Sequence, residues 1–141
     1  MRSPRRVPRG DRAAEGEHAL VAMDVRLKRA YDPAAPSDGY RVLVDRIWPR
    51  GVMRQDAQLS EWARELAPST ELRRWFGHDP ALFDEFRRRY TEELGAHTRK
   101  LRELRRLARE GRVTLIYGAR DTEHNDAVVL ADVLRRGRRP T

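Results

Sequence analysis

Val113–Asp126, VTLIYGARDTEHND, is the stretch that decides how this chain is read. Its first five residues, Val113–Tyr117, are β-branched and almost wholly apolar, as a central strand buried on both faces should be. The apolar run stops at Gly118, and Gly118–Asp126 is polar. A helix carrying Val128, Val129, Leu130, Val133 and Leu134 follows. A buried strand, a polar loop and an amphipathic helix in succession are the mark of an α/β unit.

Working upstream, Tyr40–Ile47 (YRVLVDRI) puts Val42 and Val44 on one face and Leu43 on the other, a second strand with substantial burial. Val25–Tyr31 alternates weakly and predicts a third. The turn-rich link between these two, with Pro33, Pro36 and Ser37-Asp38-Gly39, is too short for a helical crossover, so as neighbours they would be antiparallel. Ser60 is placed to cap a short helix reaching Leu66, and Ser69 to cap Thr70–Phe76, which Gly77 stops. Asp79-Pro80 supplies another helix start. From there Phe83, Phe86, Tyr90, Leu94, His97, Leu101, Leu104 and Ala108 recur every three or four residues as one helix face. An unbroken helix over 80–110 would be about 46 Å long, long for such a domain, and Gly95 is the natural place for a break. Gly111 ends the run.

These elements predict one α/β domain over residues 23–136, built on a small mixed, mainly parallel sheet covered by helices. The strands at Tyr40–Ile47 and Val113–Tyr117 can pair in parallel across the helical segment. Residues 1–22 are rich in Arg, Pro and Gly without apolar period and read as a disordered leader; Met23 is an alternative start. Residues 137–141 read as a basic tail.

The net charge of +8 raises the question of nucleic acid. Residues 1–24 contribute +1 and residues 135–141 contribute +4, which leaves +3 for everything between. The folded part is thus only mildly basic, and charge at chain ends or along a solvated helix is ordinarily a matter of solubility. The chain has no cysteine, which excludes disulfides, thiolate metal sites and a cysteine nucleophile. No apolar run approaches a membrane span and no hydrophobic signal region opens the sequence, so the expectation is a cytoplasmic protein without a membrane partner.

Three blocks, DGYRVLVDRIWPRG (38–51), LAPSTELRRWFGHDPALFDEFRRRYTEEL (66–94) and TLIYGARDTEHNDAVVL (114–130), together resemble the YeaO-like family, small bacterial proteins classed under a domain of unknown function. The similarity spans roughly residues 24–135. The resemblance implies kinship and brings no reaction with it, so a site has to be argued from side chains.

In open α/β sheets ligands bind beyond the carboxyl ends of parallel strands, and here those ends are polar: Asp45, Arg46, Trp48, Arg50 and Gly51 after one strand, Gly118, Arg120, Asp121, His124 and Asn125 after the other. Arg46, Arg50 and Arg120 converging near a helix start would hold a phosphate or carboxylate. Gly118 would let a ligand approach the backbone, and Asn125 would orient it. Trp48 offers a stacking surface, although a tryptophan in that position is more often a core plug, and each arginine is as readily spent pinning its own loop to Asp45 or Asp121. His124 with Asp121 is the best pair for proton transfer, the helix start favouring a neutral imidazole. Asp-x-x-His has no distinctive metal spacing; no metal is assigned and no cofactor is indicated. His78 sits at a helix junction, where it serves the turn.

The expectation is therefore a domain binding a small anionic ligand at two strand ends, with acid–base chemistry and enzyme status left open. The alternative is a nucleic-acid-binding or regulatory protein using the Arg-rich surface of Thr98–Arg112 and the tail.

Overall fold

The structure is a computed structural model that describes residues 22–136; most of the leader, with His18, and the basic tail lie outside the described residues. Four strands, β1 (Asp24–Arg29), β2 (Tyr40–Leu43), β3 (Glu61–Trp62) and β4 (Arg112–Tyr117), form one sheet in the order β1-β4-β2-β3. Every pairing is parallel. The α/β class and single sheet expected from the sequence are present, and the sheet is purely parallel rather than mixed. β1 and β2 are not neighbours, because β4 occupies the slot between them and takes ladder hydrogen bonds from both. The short link can therefore join two parallel strands, its 3₁₀ turn Pro36–Asp38 packing against the start of β4.

β4 earns the central position by its side chains. Val113, Leu115 and Tyr117 point into the main core, while Ile116 points to the opposite face with Leu43 and Ala30. Val42 and Val44 likewise join the main core. All four longer helices cover that one face: α2 (Thr70–Phe76), α3 (Phe83–Leu94), α4 (Thr98–Glu110) and α5 (Asp126–Arg136). The other face is closed by loops, with Trp48, Val52, Leu59 and Trp62 over Leu43 and Ile116. The single-turn helix α1 (Arg54–Ala57) lies in this layer.

The expected helix from Ser60 to Leu66 is replaced by β3 and a 3₁₀ turn, Arg64–Leu66. Ser60 still uses its hydroxyl as an acceptor, but for the Arg41 amide of β2 (3.0 Å), and Ala63 donates to the Leu43 carbonyl (2.9 Å). A two-residue edge strand has no periodicity of its own; its partner creates it. Ser69 does cap α2, accepting from Leu72 N at 3.1 Å. The long apolar stripe breaks where expected: Gly95, Ala96 and His97 each donate to the carbonyl three residues back, which tightens the chain and ends α3 before α4 begins. Asp79-Pro80 opens a 3₁₀ turn, and α3 proper starts at Phe83.

At the amino end of β2 a buried ion cluster ties the layers together. Asp38 receives Arg41 Nη1 at 2.7 Å and Lys28 Nζ at 3.0 Å, and Arg41 also donates to the Ala57 carbonyl. Gly39, at φ 69°, runs so close to β4 that a Cβ there would meet the Arg112 carbonyl at 2.4 Å. Burial alone would raise the Asp38 pKa, but the Ala35 amide, Lys28 and Arg41 outweigh it and hold the carboxyl below its ordinary value. Removing one partner of such a pair strands the other charge, at about 3–5 kcal/mol. Asp38→Asn should therefore destabilise the fold by about that amount at neutral pH in urea unfolding. Since the lowered pKa contributes stability only above the unfolded value near 3.8, the gap between variant and wild type should shrink as the pH falls below it. A gap independent of pH would show that Asp38 acts by packing alone.

Candidate functional site

The carboxyl ends of β2 and β4 do meet in a cavity, of about 240 Å³, bounded by the loop after β2, the loop after β4, α2 and the start of α5. Two carboxyls form one wall. Asp45 follows β2 directly; since Val44 N still donates to the Ile116 carbonyl (3.0 Å), the ladder carries Asp45 to the end of β4. There its Oδ2 accepts the Gly118 amide at 2.8 Å. Gly118 permits this approach, since a Cβ would stand 3.3 Å from the same oxygen. Trp62 Nε1 holds the Asp45 carbonyl at 2.7 Å from the opposite layer. Asp126, the first residue of α5, turns Oδ1 to the Ala127 amide (2.9 Å) and shares a side-chain hydrogen bond with Asp45.

Two carboxyls can share a hydrogen bond only when a proton lies between them. Burial is the main cause that pushes Asp126 well above the usual carboxylate range, and the negative charge of Asp45 adds to it. Burial also raises Asp45, against the lowering effects of the Asp126 hydrogen bond, the Gly118 amide, His78 and Arg73. The two carboxyls thus titrate as one coupled unit, with Asp126 pushed further toward its protonated form than Asp45. Among the described residues, no arginine, lysine or histidine nitrogen lies within 4.0 Å of either carboxyl.

Facing the pair are Arg46, Arg73 and His78, with apolar surface from Phe76, Phe86, Pro49 and Ile47. Arg46 is braced by the carbonyls of Pro68 (3.1 Å) and Ala67 (3.4 Å) rather than by Asp45. Arg73 comes from the flank of α2 between the buried Leu72 and Phe76, and its Nε is buried without a hydrogen-bond partner. Buried donors are nearly always paired, and this one is an exception among the described residues. His78 is held at φ 58°, a left-handed conformation uncommon outside glycine, directly after Gly77 at φ 54°.

The residues expected from the sequence divide between this cavity and other places. Arg46, Gly118 and Asn125 line it. Asn125 is buried and serves as the N-cap of α5, with Oδ1 accepting from Val128 N and Nδ2 donating to the Asp121 carbonyl. Arg50 and Arg120 are exposed and do not line the cavity, so the expected trio of arginines is not assembled. Trp48 lies in the loop-covered layer, edge-on to Trp62 at 5.5 Å and bonded to the Val52 carbonyl; its stacking surface is used internally. His124 and Asp121 pair at 2.9 Å outside the cavity, where Asp121 also accepts the Glu123 and His124 amides in a tight turn and His124 packs edge-on to Phe83. The Glu123 amide is the main cause holding Asp121 below the usual carboxylate range, the state of a turn acceptor.

Reasoning from sequence left Asp126 and Arg73 without a role, assigned His78 to a turn, and placed Asp45 at the strand end as a partner for arginine. Asp126 is camouflaged, since an aspartate opening a helix is ordinarily explained by the helix dipole. Arg73 lies in a helix already rich in arginine. A second groove, beyond Arg46, offers little free chemistry: its Glu93 is engaged by Ser69 N and Oγ and its Tyr90 hydroxyl by the Leu66 carbonyl. Among the described residues no three His, Asp or Glu side chains gather in a metal-holding group, and no helix is long and apolar enough to cross a membrane.

Fold and site together define a class: a parallel-sheet α/β domain with a proton-sharing aspartate pair where two adjacent strands end. Over residues 24–138 the sequence matches DUF488-N3i, the family described as "Inactive DUF488-N3 subclade", and the chain belongs to it. It is similar to the uncharacterized protein YeaO of Escherichia coli K12, 47% identical over 113 residues that cover 80% of this chain and 98% of that protein. It is likewise similar to the uncharacterized proteins Rv3073c of Mycobacterium tuberculosis H37Rv and Mb3100c of Mycobacterium bovis, each 46% identical over 110 residues, 78% of this chain and 92% of theirs. The expected kinship with YeaO-like bacterial proteins is thereby established. No solved structure matches.

The pair has a signature in stability. With its folded pKa above the ordinary 3.8, Asp126 binds its proton more tightly in the native state, so wild-type stability falls as the pH rises from that value through the raised one. Asp126→Asn keeps an acceptor for Ala127 and imitates the protonated carboxyl. Urea unfolding should find the variant as stable as wild type or more so near pH 8, with a flatter profile above pH 4. An unchanged profile would mean that another group carries the proton.

Proposed function

We propose that the domain binds a small anionic ligand, phosphate- or carboxylate-bearing, in the cavity between Asp45, Arg73 and Asp126. The observation that carries this reading is the unpartnered, buried Arg73 Nε beside a cavity that Arg46 also lines. Two guanidinium groups against an aspartate pair holding one proton leave an excess of positive charge. The cavity is at the small end for ligand sites, which run from roughly 300 Å³ upward, and suits a small metabolite better than a dinucleotide. The description of the family as inactive favours binding over turnover, and His124 with Asp121, standing outside the cavity, supports no proton transfer to a ligand within it. The same reading places the protein in the cytoplasm, in keeping with its cysteine-free, highly charged composition.

Nucleic-acid binding draws less support. Along α4, Arg105 is spent on the Val133 and Leu134 carbonyls at the end of α5, Arg106 pairs with Glu110, and Lys100 pairs with Glu61 and Glu103. Those contacts occupy three of the basic side chains of α4, while Arg99, Arg102 and Arg109 have no ion pair among the described residues.

Calorimetry and thermal shift with ethyl phosphate and with propionate test the proposal. A ligand at ~100 times its dissociation constant should add ~2.7 kcal/mol of stability. A hydrogen bond to a charged group is worth about 1.5–3 kcal/mol, so Arg73→Met should weaken binding by roughly 10- to 100-fold. Arg120→Ala should leave it unchanged. Equal losses in both variants would point to diffuse surface attraction, and no binding to either probe would remove the reading.

A further inference from the structure

The cavity has a second wall that an anion alone leaves unused. Asp45 and Asp126 line it together, half-buried, with no cationic side chain within 4.0 Å among the described residues. At Asp38, a buried carboxylate beside the sheet, the protein supplies Lys28 and Arg41 within 3.0 Å. The fold therefore can neutralise a buried aspartate with its own side chains and does not do so at the cavity. The ionisable groups around the pair, Arg46, Arg73 and His78 with Tyr90 behind, are directed elsewhere or stand beyond ion-pair distance. Resting on the reading of Arg73 as the anion contact, we infer that the ligand is bifunctional: an anionic group for Arg73 and, a few bonds away, an amino or ammonium group for Asp45 and Asp126.

The exchange is balanced. In the free protein the pair carries one proton and one negative charge. When an ammonium group docks, its N–H donors replace the shared hydrogen bond, the proton leaves to solvent, and two carboxylates face one cation. The ligand's anion is met by one guanidinium on the opposite side, and the negative charge left over at the aspartates is offset by the second guanidinium of the cavity. Since no third His, Asp or Glu joins the two carboxylates in a metal-holding group among the described residues, they suit this N–H cation better than a metal ion.

Matched probes test the inference on the full-length chain: phosphoethanolamine against ethyl phosphate, and 3-aminopropionate against propionate, by calorimetry near pH 8 in buffers of different ionisation enthalpy. The amine-bearing member of at least one pair should bind ten-fold or more tightly than its partner and release close to one proton more. In Asp126→Asn that advantage and the extra proton should vanish while ethyl phosphate or propionate binds as before. In His124→Gln, a change outside the cavity, both should persist. Whichever pair responds tells phosphate from carboxylate. Equal affinities within both pairs, with binding still dependent on Arg73, would overturn the bifunctional ligand and leave the anion site standing. Failure of all four probes would remove the anion site as well. An advantage that appears only with added Mg²⁺ would assign the aspartates to a metal and overturn the inference.

Discussion

The parallel pairing of β2 with β4 is the constraint on which the rest depends. It runs one residue past the last strand position of β2, through the bond from Val44 to Ile116, and so delivers Asp45 beside the Gly118 amide. β4 then turns into the loop that ends at Asn125, whose cap starts α5 with Asp126 facing back toward Asp45. Shifting the register by one residue would send Val42 and Val44 to the loop-covered face and turn Asp45 away. The apolar identity of VTLIY and the meeting of the two aspartates are consequences of one ladder.

The two ends of β2 hold contrasting carboxyl sites, one buried and one half-buried beside the cavity. Asp38, at the amino end of β2, is surrounded by Lys28, Arg41 and a backbone amide, and is held below its ordinary pKa. Asp45 and Asp126, at the carboxyl end, have each other and two amides, with His78 and Arg73 acting on Asp45 from beyond ion-pair distance, and are raised. Burying carboxyls costs the same kind of desolvation energy in both places. Where the fold compensates it, the group holds the structure together; where it does not, the carboxyls shift toward their protonated form, beside a cavity.

The one-sided arrangement of helices matters to the site as well. With α2 through α5 on a single face, the cavity takes its walls from strand ends, a helix start and a helix flank, while Trp48 and Trp62 seal the other face and anchor the backbone of Asp45 from behind. The aromatic residues near the strand end that look available for a ligand thus act as supports. Arg29 performs a similar service for the second loop, donating to the Ala119 carbonyl at 2.8 Å.

Much of this was legible in the sequence by itself. The apolar alternation of Val42 to Val44, the run from Val113 to Tyr117 and the three-and-four spacing from Phe83 to Ala108 determined the strands, the helices and the strand ends as the place to look, because each rests on local periodicity and on what burial demands of it. The tertiary structure alone decided which side chains meet there. β4 entering between β1 and β2 is a long-range pairing that no local pattern encodes, and β3 exists only because β2 offers it an edge. Asp126 and Arg73 carry no signal in their own helices, since one looks like a helix opener and the other like a solvated arginine. Their significance arises from enclosure in a shared cavity, where neighbours distant in sequence set the dielectric surroundings, the proton and the unfilled hydrogen bond.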